Sequence, residues 1–281
     1  MKRMQLVSAL CAALTLSAPG HVRAGADVVR TVYFSAVDAK GAPVLDLTAA
    51  DLAVKEGGKD RAISAVEHAT APMQVSLIVD DAGSGAFQAA VAQFIEATLE
   101  HAQFAINALN PQTTRLTAFT SDVEVLKTAI GRLGPRGKIQ SVGEQIMGAV
   151  EQAAKELQQH KASRPSIIVM TVGGETPQSD QAEPALTVLK ASGASLNVVY
   201  LTGIEVGKVL GDGPKRSGGM TQQVSAGVAL GPVLAKFADT LLHQYVLTYT
   251  LPDGVKPNER LALTTSRNGV TLLAPNRLPD K

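Results

Sequence analysis

The chain has 281 residues with 26 basic and 25 acidic side chains, and 45% of its residues are hydrophobic. This length is enough for one large domain or two small ones, each with a buried core. The near-neutral charge balance, the lack of tryptophan and an aromatic content of 4% argue against nucleic-acid binding, which needs a basic surface and stacking side chains.

The first 24 residues follow the plan of a secretory signal peptide. Lys2 and Arg3 precede a mostly apolar run at 6–18, and Val22 and Ala24 provide small side chains at positions −3 and −1 of a cleavage site. The run is shorter than the roughly 20 apolar residues of a membrane-spanning helix. We therefore expect cleavage after Ala24, a periplasmic or secreted protein, and no stable membrane anchor after cleavage.

The chain has a single cysteine, Cys11, which lies within this signal. The mature chain is therefore expected to contain no disulfide, catalytic thiol or thiolate metal site. Cleavage would also remove Lys2, Arg3 and Arg23, leaving 23 basic side chains against 25 acidic ones.

Residues 25–72 are predicted to form a small β segment. Apolar and polar residues alternate from Val28 to Ser35, and β-branched and aromatic residues are dense there. Thr48 is expected to cap one short helical turn. Two further strands are predicted at 52–55 and 62–66, on either side of a turn at 57–59.

Residues 73–243 instead alternate strands with amphipathic helices. The stretch Val75–Val79 is almost wholly apolar, as expected of a strand that is buried on both faces. Parallel strands connected through helices predict an open, doubly wound, mostly parallel α/β sheet. The other predicted elements are strands at 114–119, 123–126, 166–171 and 196–201, helices at 84–108, 142–159 and 183–191, a glycine-rich loop at 203–219, and a last helix ending near Leu242.

Residues 244–281 return to a β pattern. Tyr245–Tyr249 is rich in strand formers, two more strands are predicted at 260–266 and 270–274, and Asn268-Gly269 between them is a strong hairpin signal. Isolated pieces of two or three strands are marginally stable in water. We therefore expect this segment to pack with residues 25–72 as a small β-sandwich-like unit, with 73–243 inserted between them.

Several stretches resemble a known family. Residues 37–59 are similar to its β lead-in, Phe119–Val123 to the turn between its next two strands, and Gln244–Tyr249 to the strand after its last helix. On these residues the core resembles the von Willebrand factor A domain, and the mature chain resembles the secreted VWFA-related proteins common in Acidobacteria. The resemblance implies a doubly wound sheet and a role in binding another protein.

It also implies a metal-ion-dependent adhesion site at the carboxyl ends of the strands. Family members bind Mg²⁺ through Asp-x-Ser-x-Ser in a first loop, a threonine in a second and an aspartate in a third. Here Asp80 and Ser84 match the first loop, but Ala82 replaces its first serine, Glu144 aligns loosely with the threonine, and Val172 stands in place of the aspartate. Because valine cannot ligate a cation, we expect a degenerate site and no cofactor.

Two alternatives to this ligand set stay open. Asp81, Glu175 or Ser141 lies near enough in sequence to supply a replacement oxygen, which would preserve an altered Mg²⁺ site. Asp80 and Ser84 also suit structural roles, because short polar side chains beside the start of a helix accept backbone N–H groups.

The favoured function is a non-catalytic module that binds a protein partner through the strand-end loops at 80–85, 173–178 and 203–219. One alternative is metal-dependent adhesion with altered ligands, and another is a β-rich scaffold in an envelope assembly. A third is a serine hydrolase, because Ser84 lies in a weak match to a nucleophile elbow. His243 follows Asp212 and Asp239 in the chain order that a catalytic triad would need.

Overall fold

The computed structural model describes residues 28–81, 86–109, 112–134, 142–173, 180 and 182–279. The predicted signal peptide at 1–24 lies outside these residues. The strands, in chain order, are β1 Val28–Val37, β2 Leu52–Glu56, β3 Lys59–Arg61, β4 Ile63–His68, β5 Met73–Asp80, β6 Ala102–Leu109, β7 Thr113–Thr120, β8 Arg164–Thr171, β9 Ser195–Leu201, β10 Thr221–Val224, β11 Tyr245–Leu251, β12 Leu261–Thr265 and β13 Thr271–Leu273.

Six α-helices accompany these strands in the described residues. They are α1 Ala86–Thr98, α2 Val123–Gly131, α3 Val142–Gln159, α4 Ala182–Ser192, α5 Lys208–Ser217 and α6 Leu230–Leu242. No helix in the described ranges is both long enough and apolar enough to cross a membrane.

The central sheet has six strands in the order β10-β9-β8-β5-β6-β7, and all neighbouring pairs are parallel except β6 and β7. Apolar side chains on one face pack against α1, α2 and α6, and those on the other face pack against α3, α4 and α5. Because both faces are covered, β5 and β8 are buried along almost their whole length. The predicted doubly wound α/β fold is confirmed.

Two smaller antiparallel sheets join the two ends of the chain. Their strand orders are β13-β1-β11-β4 and β12-β2-β3, so each contains strands from before and after the central sheet. Phe34, Tyr245 and Tyr249 are fully buried among the aliphatic side chains between these sheets. The predicted packing of the N-terminal and C-terminal β segments against each other is therefore seen in the structure.

A buried polar cluster links these two sheets. Glu56 on β2 accepts hydrogen bonds from the Tyr249 hydroxyl at 2.6 Å and from the Asn258 amide at 2.5 Å. The Arg30 Nε atom lies 4.0 Å from the same carboxylate, and Glu56 is only 1% exposed. Burial, and then the bond to Glu56, raise the pKa of Tyr249, so the phenol stays neutral and keeps donating its proton.

The predicted helix at 84–108 is too long. Helix α1 ends at Thr98, a 3-10 turn follows at Leu99–His101, and Ala102–Leu109 forms strand β6. Nearly every side chain of β6 is buried, since the strand is covered by helices on both faces. A segment without a polar face reads as either element from its pattern alone.

The strand predicted to follow the turn at Ser121-Asp122 is also wrong. Asp122 is the N-cap of α2, because its carboxylate accepts hydrogen bonds from the amides of Glu124 and Val125 at 2.9 and 3.1 Å. Residues 123–126 are therefore helical rather than a strand, and the similarity of 119–123 to a turn between strands is not reproduced.

The Asn268-Gly269 hairpin is not formed either. The strands on either side of it, β12 and β13, belong to different sheets, where β12 pairs with β2 and β13 pairs with β1. Gly269 does adopt the left-handed conformation, with φ of 74°. The local turn signal was thus correct, and the pairing was decided by partners more than 200 residues earlier in the chain.

Candidate functional site

The candidate site lies where the winding of the central sheet reverses. From β5 the chain passes through α1 to β6 on one side, and β8 flanks β5 on the other side. The two strands end together, with Asp80 paired in register with Thr171. Ligands of open α/β sheets gather at such a reversal, outside the carboxyl ends of the strands.

Asp80 is fully buried and fastens the two strand ends together. Its Oδ2 atom accepts a hydrogen bond from the Thr171 hydroxyl at 2.7 Å and one from the Gly173 amide at 2.9 Å. The Gly173 amide also lies 3.0 Å from the Thr171 hydroxyl oxygen. A buried carboxylate with hydrogen-bond donors at these distances stabilises the structure around it. The donors belong to the end of β8 and the residues after it, whereas the structural role left open for Asp80 in the sequence was at the start of the following helix.

Val172 lies between the two residues that bond Asp80. Its side chain is half-buried and packs against the apolar cluster under α1 and α6. The third loop therefore presents a hydroxyl and an amide to Asp80, and the position expected to hold an aspartate contributes an apolar contact.

Of the predicted serine and histidine pair, the structure describes His243, which lies at the amino edge of the central sheet. Helix α6 leads from the carboxyl edge to the amino edge, and His243 is its C-cap. The His243 Nδ1 atom lies 2.8 Å from the Asp239 carbonyl oxygen and 3.0 Å from its carboxylate. Ser84 lies outside the described residues, and Asp81, the last described residue before it, lies at the carboxyl edge. The eight-residue strand β5 separates these edges by about 25 Å.

No protein-family model and no curated protein matches this sequence. Among solved structures, the von Willebrand factor type A protein from Catenulispora acidiphila is similar, with a TM-score of 0.51 and 12% identity over 92% of this chain and 75% of that chain. This chain has a von Willebrand factor A fold.

Two further solved structures show weaker similarity to this von Willebrand factor A fold. BatB from Bacteroides thetaiotaomicron has a TM-score of 0.46 and 14% identity, covering 60% of this chain and 98% of that chain. The vWF domain of the type V pili tip protein Mfa5 from Porphyromonas gingivalis has a TM-score of 0.45 and 14% identity, covering 62% and 96%. The finer resemblance to secreted acidobacterial proteins stays a prediction.

The von Willebrand factor A fold places Glu144 at the same edge of the sheet as Asp80. Helix α3 leads into the amino end of β8, so its first turn, which contains Glu144, lies at the carboxyl edge. Glu144 is exposed, whereas the neighbouring candidate Asp81 is 3% exposed. Ser84, Ser141 and Glu175 lie outside the described residues.

The described donors fit Mg²⁺ poorly. The Oδ2 atom of Asp80 already accepts two hydrogen bonds. The side chain of Val172 has no oxygen atom that could ligate a cation. Within the described ranges, no three histidine or acidic side chains are grouped closely enough to hold a metal ion. Mg²⁺ requires near-octahedral oxygen coordination, and the described residues supply few candidates for it.

The segment 203–219, predicted as a contact loop, contains helix α5 instead. Val209 and Leu210 are fully buried, and a Cβ atom added at Gly213 would lie 2.6 Å from the Leu196 side chain. Its glycine content therefore includes a residue that lets the helix lie close to β9. The exposed residues between β9 and α5, such as Glu205, are the part of this segment at the carboxyl edge.

Sequence reasoning missed the role of Thr171. A threonine at the end of a buried strand, level with an aspartate on the neighbouring strand, would have signalled this hydrogen bond. The signal becomes readable only once β5 and β8 are known to be adjacent.

Proposed function

We propose that this chain is an exported, non-catalytic module that binds a protein partner at the carboxyl edge of its central sheet, without a bound metal. The observation that carries the proposal is the environment of Asp80. This side chain is buried and accepts hydrogen bonds from Thr171 and Gly173, and the third-loop position between those two residues is a valine. These contacts use the Oδ2 atom of a potential metal ligand to fasten the scaffold. Rigid scaffolds of this kind commonly present their loops to partners.

The fold is compatible with this proposal but does not establish it, because one fold hosts many functions. Export is supported by the signal-peptide plan of residues 1–24. The non-catalytic assignment is supported by the separation of His243 from the edge of the sheet that Ser84 follows.

The metal-free part of the proposal is tested by calorimetric titration of chelator-treated mature protein with Mg²⁺, Mn²⁺ and Ca²⁺. We expect no saturable binding by the wild type. The variant Val172→Asp tests the third-loop position of the predicted metal site, because it places a carboxylate there. Saturable binding by the wild type that Asp80→Asn abolishes would instead support metal-dependent adhesion with altered ligands.

The binding face is tested by site-specific photo-crosslinking in the periplasm. Crosslinking residues placed at Glu144 and Glu205 sit at the carboxyl edge, and one at Glu124 in the first turn of α2 sits at the opposite edge, because β7 is antiparallel. All three positions are exposed. We expect one discrete adduct from the first two positions and none from Glu124. An adduct from Glu124 alone would refute the proposed face.

Export itself is tested by N-terminal sequencing of the protein recovered from the periplasm or the medium. A mature chain that begins at Gly25 is the expected result. Retention of the full chain in the cytoplasm would contradict the assignment.

A further inference from the structure

A cavity of about 350 Å³ opens at the amino edge of the central sheet, where that sheet meets the small β sheets. It is lined by the first residues of β8 and β9, one side of α4 along most of its length, the last turn of α5, part of β1 and the C-terminal segment. Arg164 in this lining is separated from Asp80 by the length of β8. A volume of this size is at the lower end of small-molecule binding sites.

Arg164, the first residue of β8, lines this cavity and is 4% exposed. Its Nη1 atom donates a hydrogen bond to the Ala69 carbonyl at 2.9 Å, whereas its Nε atom is buried without a hydrogen-bond partner. Within the described residues, no acidic side chain lies within ion-pair distance of the Arg164 guanidinium.

This arrangement leaves the Arg164 charge poorly compensated. A guanidinium carries five N–H donors, and burying a charge is costly unless the charge is paired. Burial correspondingly lowers the pKa of Arg164. An anion in the cavity would supply the missing counter-charge.

The other charges around the cavity also favour an anion. Three further cationic side chains line it, against two carboxylates. Glu259 is shared between Lys190, at 2.8 Å, and Arg277. Glu183 pairs with Arg216 at 3.2 Å, a contact that lowers the pKa of Glu183 and keeps it ionised. Both carboxylates are thus already engaged, and the lining has an excess of two positive charges.

The remaining lining combines small polar side chains with aliphatic ones. Val32, Leu186, Leu189, Leu278 and Pro275 contribute aliphatic surface beside the cationic groups. A ligand that suits both parts of the cavity has a carboxylate at one end and a compact aliphatic body at the other.

We propose that this cavity binds a carboxylate-bearing ligand with a small aliphatic body, and that Arg164 is the residue that receives the carboxylate. Two sources share this chemistry, a free aliphatic acid and the C-terminal residue of a peptide. The site is independent of the proposed partner-binding face, because Arg164 and Asp80 lie at opposite edges of the sheet.

The test is calorimetric titration of the mature protein with three probes, each to about 10 mM, since weak small-ligand sites have millimolar affinities. The probes are hexanoate, acetyl-Leu-Leu with a free carboxylate, and acetyl-Leu-Leu amide. We expect saturable binding of at least one carboxylate and an affinity for the amide weaker by about tenfold to a hundredfold, the range of a charge-assisted hydrogen bond. Hexanoate binding alone would identify a free acid as the ligand, and peptide binding alone would identify a chain terminus.

Two variants and a control assign the site. Arg164→Met keeps the length and apolar stem of the side chain but removes its charge, and we expect it to abolish the preference for carboxylate over amide. Thr187→Phe alters an exposed residue of the rim, so it tests occlusion of the cavity even if Arg164→Met fails to fold. Lys155→Met removes a charge from the exposed face of α3 and should leave binding unchanged.

Equal affinity for the acid and the amide, no saturable binding of any probe, or unchanged binding by Thr187→Phe would each overturn the proposal. None of these results would affect the proposed face at Asp80, which is tested by metal titration and crosslinking.

Discussion

Gly218 offers a sharp test of how the C-terminal segment is held against the central domain. It caps the end of α5 in the left-handed conformation, with φ of 75°. A Cβ atom at this position would lie 2.6 Å from both the Ala274 carbonyl carbon and the Pro275 nitrogen. Those backbone atoms cannot rotate away as a side chain can, so Gly218→Ala forces the segment to move.

Gly254 provides a matched control. Its φ is 74°, nearly the same as that of Gly218, but a Cβ atom there would meet nothing within 4 Å. Both alanine variants therefore incur the left-handed backbone cost of about 1–2 kcal/mol. Gly218→Ala adds the cost of overpacking, about 1–3 kcal/mol. We expect the free energy of unfolding to fall by about 1–2 kcal/mol for Gly254→Ala and by about 2–5 kcal/mol for Gly218→Ala.

Urea denaturation followed by circular dichroism measures both losses, since the chain lacks tryptophan for fluorescence. Amide exchange adds a local readout. The amide of Asn276 donates to the Arg216 carbonyl at 3.0 Å, and that of Leu278 donates to the Glu259 carbonyl at 2.7 Å. Both amides should lose protection in Gly218→Ala and keep it in Gly254→Ala. Equal stability losses with unchanged protection would refute the steric reasoning.

Three further predictions concern hydrogen bonds. Thr171→Val removes the hydroxyl that donates to Asp80, and urea denaturation should show a loss of about 1–3 kcal/mol; an unchanged midpoint would contradict the structural role of Asp80. Burial raises the pKa of Tyr249, so its contribution to stability is present below the unfolded pKa of about 10 and is lost as the pH rises above it. The free energy of unfolding of Tyr249→Phe should therefore fall less than that of the wild type between about pH 9 and pH 11. Equal slopes of the free energy of unfolding against pH would exclude this explanation. Asp122→Ala removes the N-cap of α2 and should cost about 1 kcal/mol, measured against Asp253→Ala in an exposed turn, which should be nearly neutral.

The sequence by itself determined the elements whose signal is local. Helix α3 begins and ends where its apolar stripe predicts, because the stripe repeats every 3.6 residues and its polar face is clear. Strands β5, β8 and β9 follow from short apolar runs, and their alternation with helices gave the doubly wound sheet. That a valine stands at position 172, where the resemblance predicts an aspartate, was also readable, since it depends only on residue identity.

Elements without a polar face could be assigned only from the tertiary structure. Strand β6 continues directly from the apolar end of α1, and only its place inside the central sheet decides between helix and strand. Helix α5 was missed because its glycines indicate a loop. One of them, Gly213, allows close contact with Leu196 on β9, and the local pattern does not show that β9 is a neighbour.

The chemistry of the candidate sites was likewise decided by contacts between distant residues. Asp80 is bonded to Thr171, 91 positions away, because β5 and β8 end at the same level of the sheet. Arg164 lines a cavity formed with β1 and the C-terminal segment, elements from opposite ends of the chain. Local patterns carry the period of a helix or a strand, whereas burial and hydrogen-bond partners depend on which elements become neighbours, and packing of the whole chain decides that.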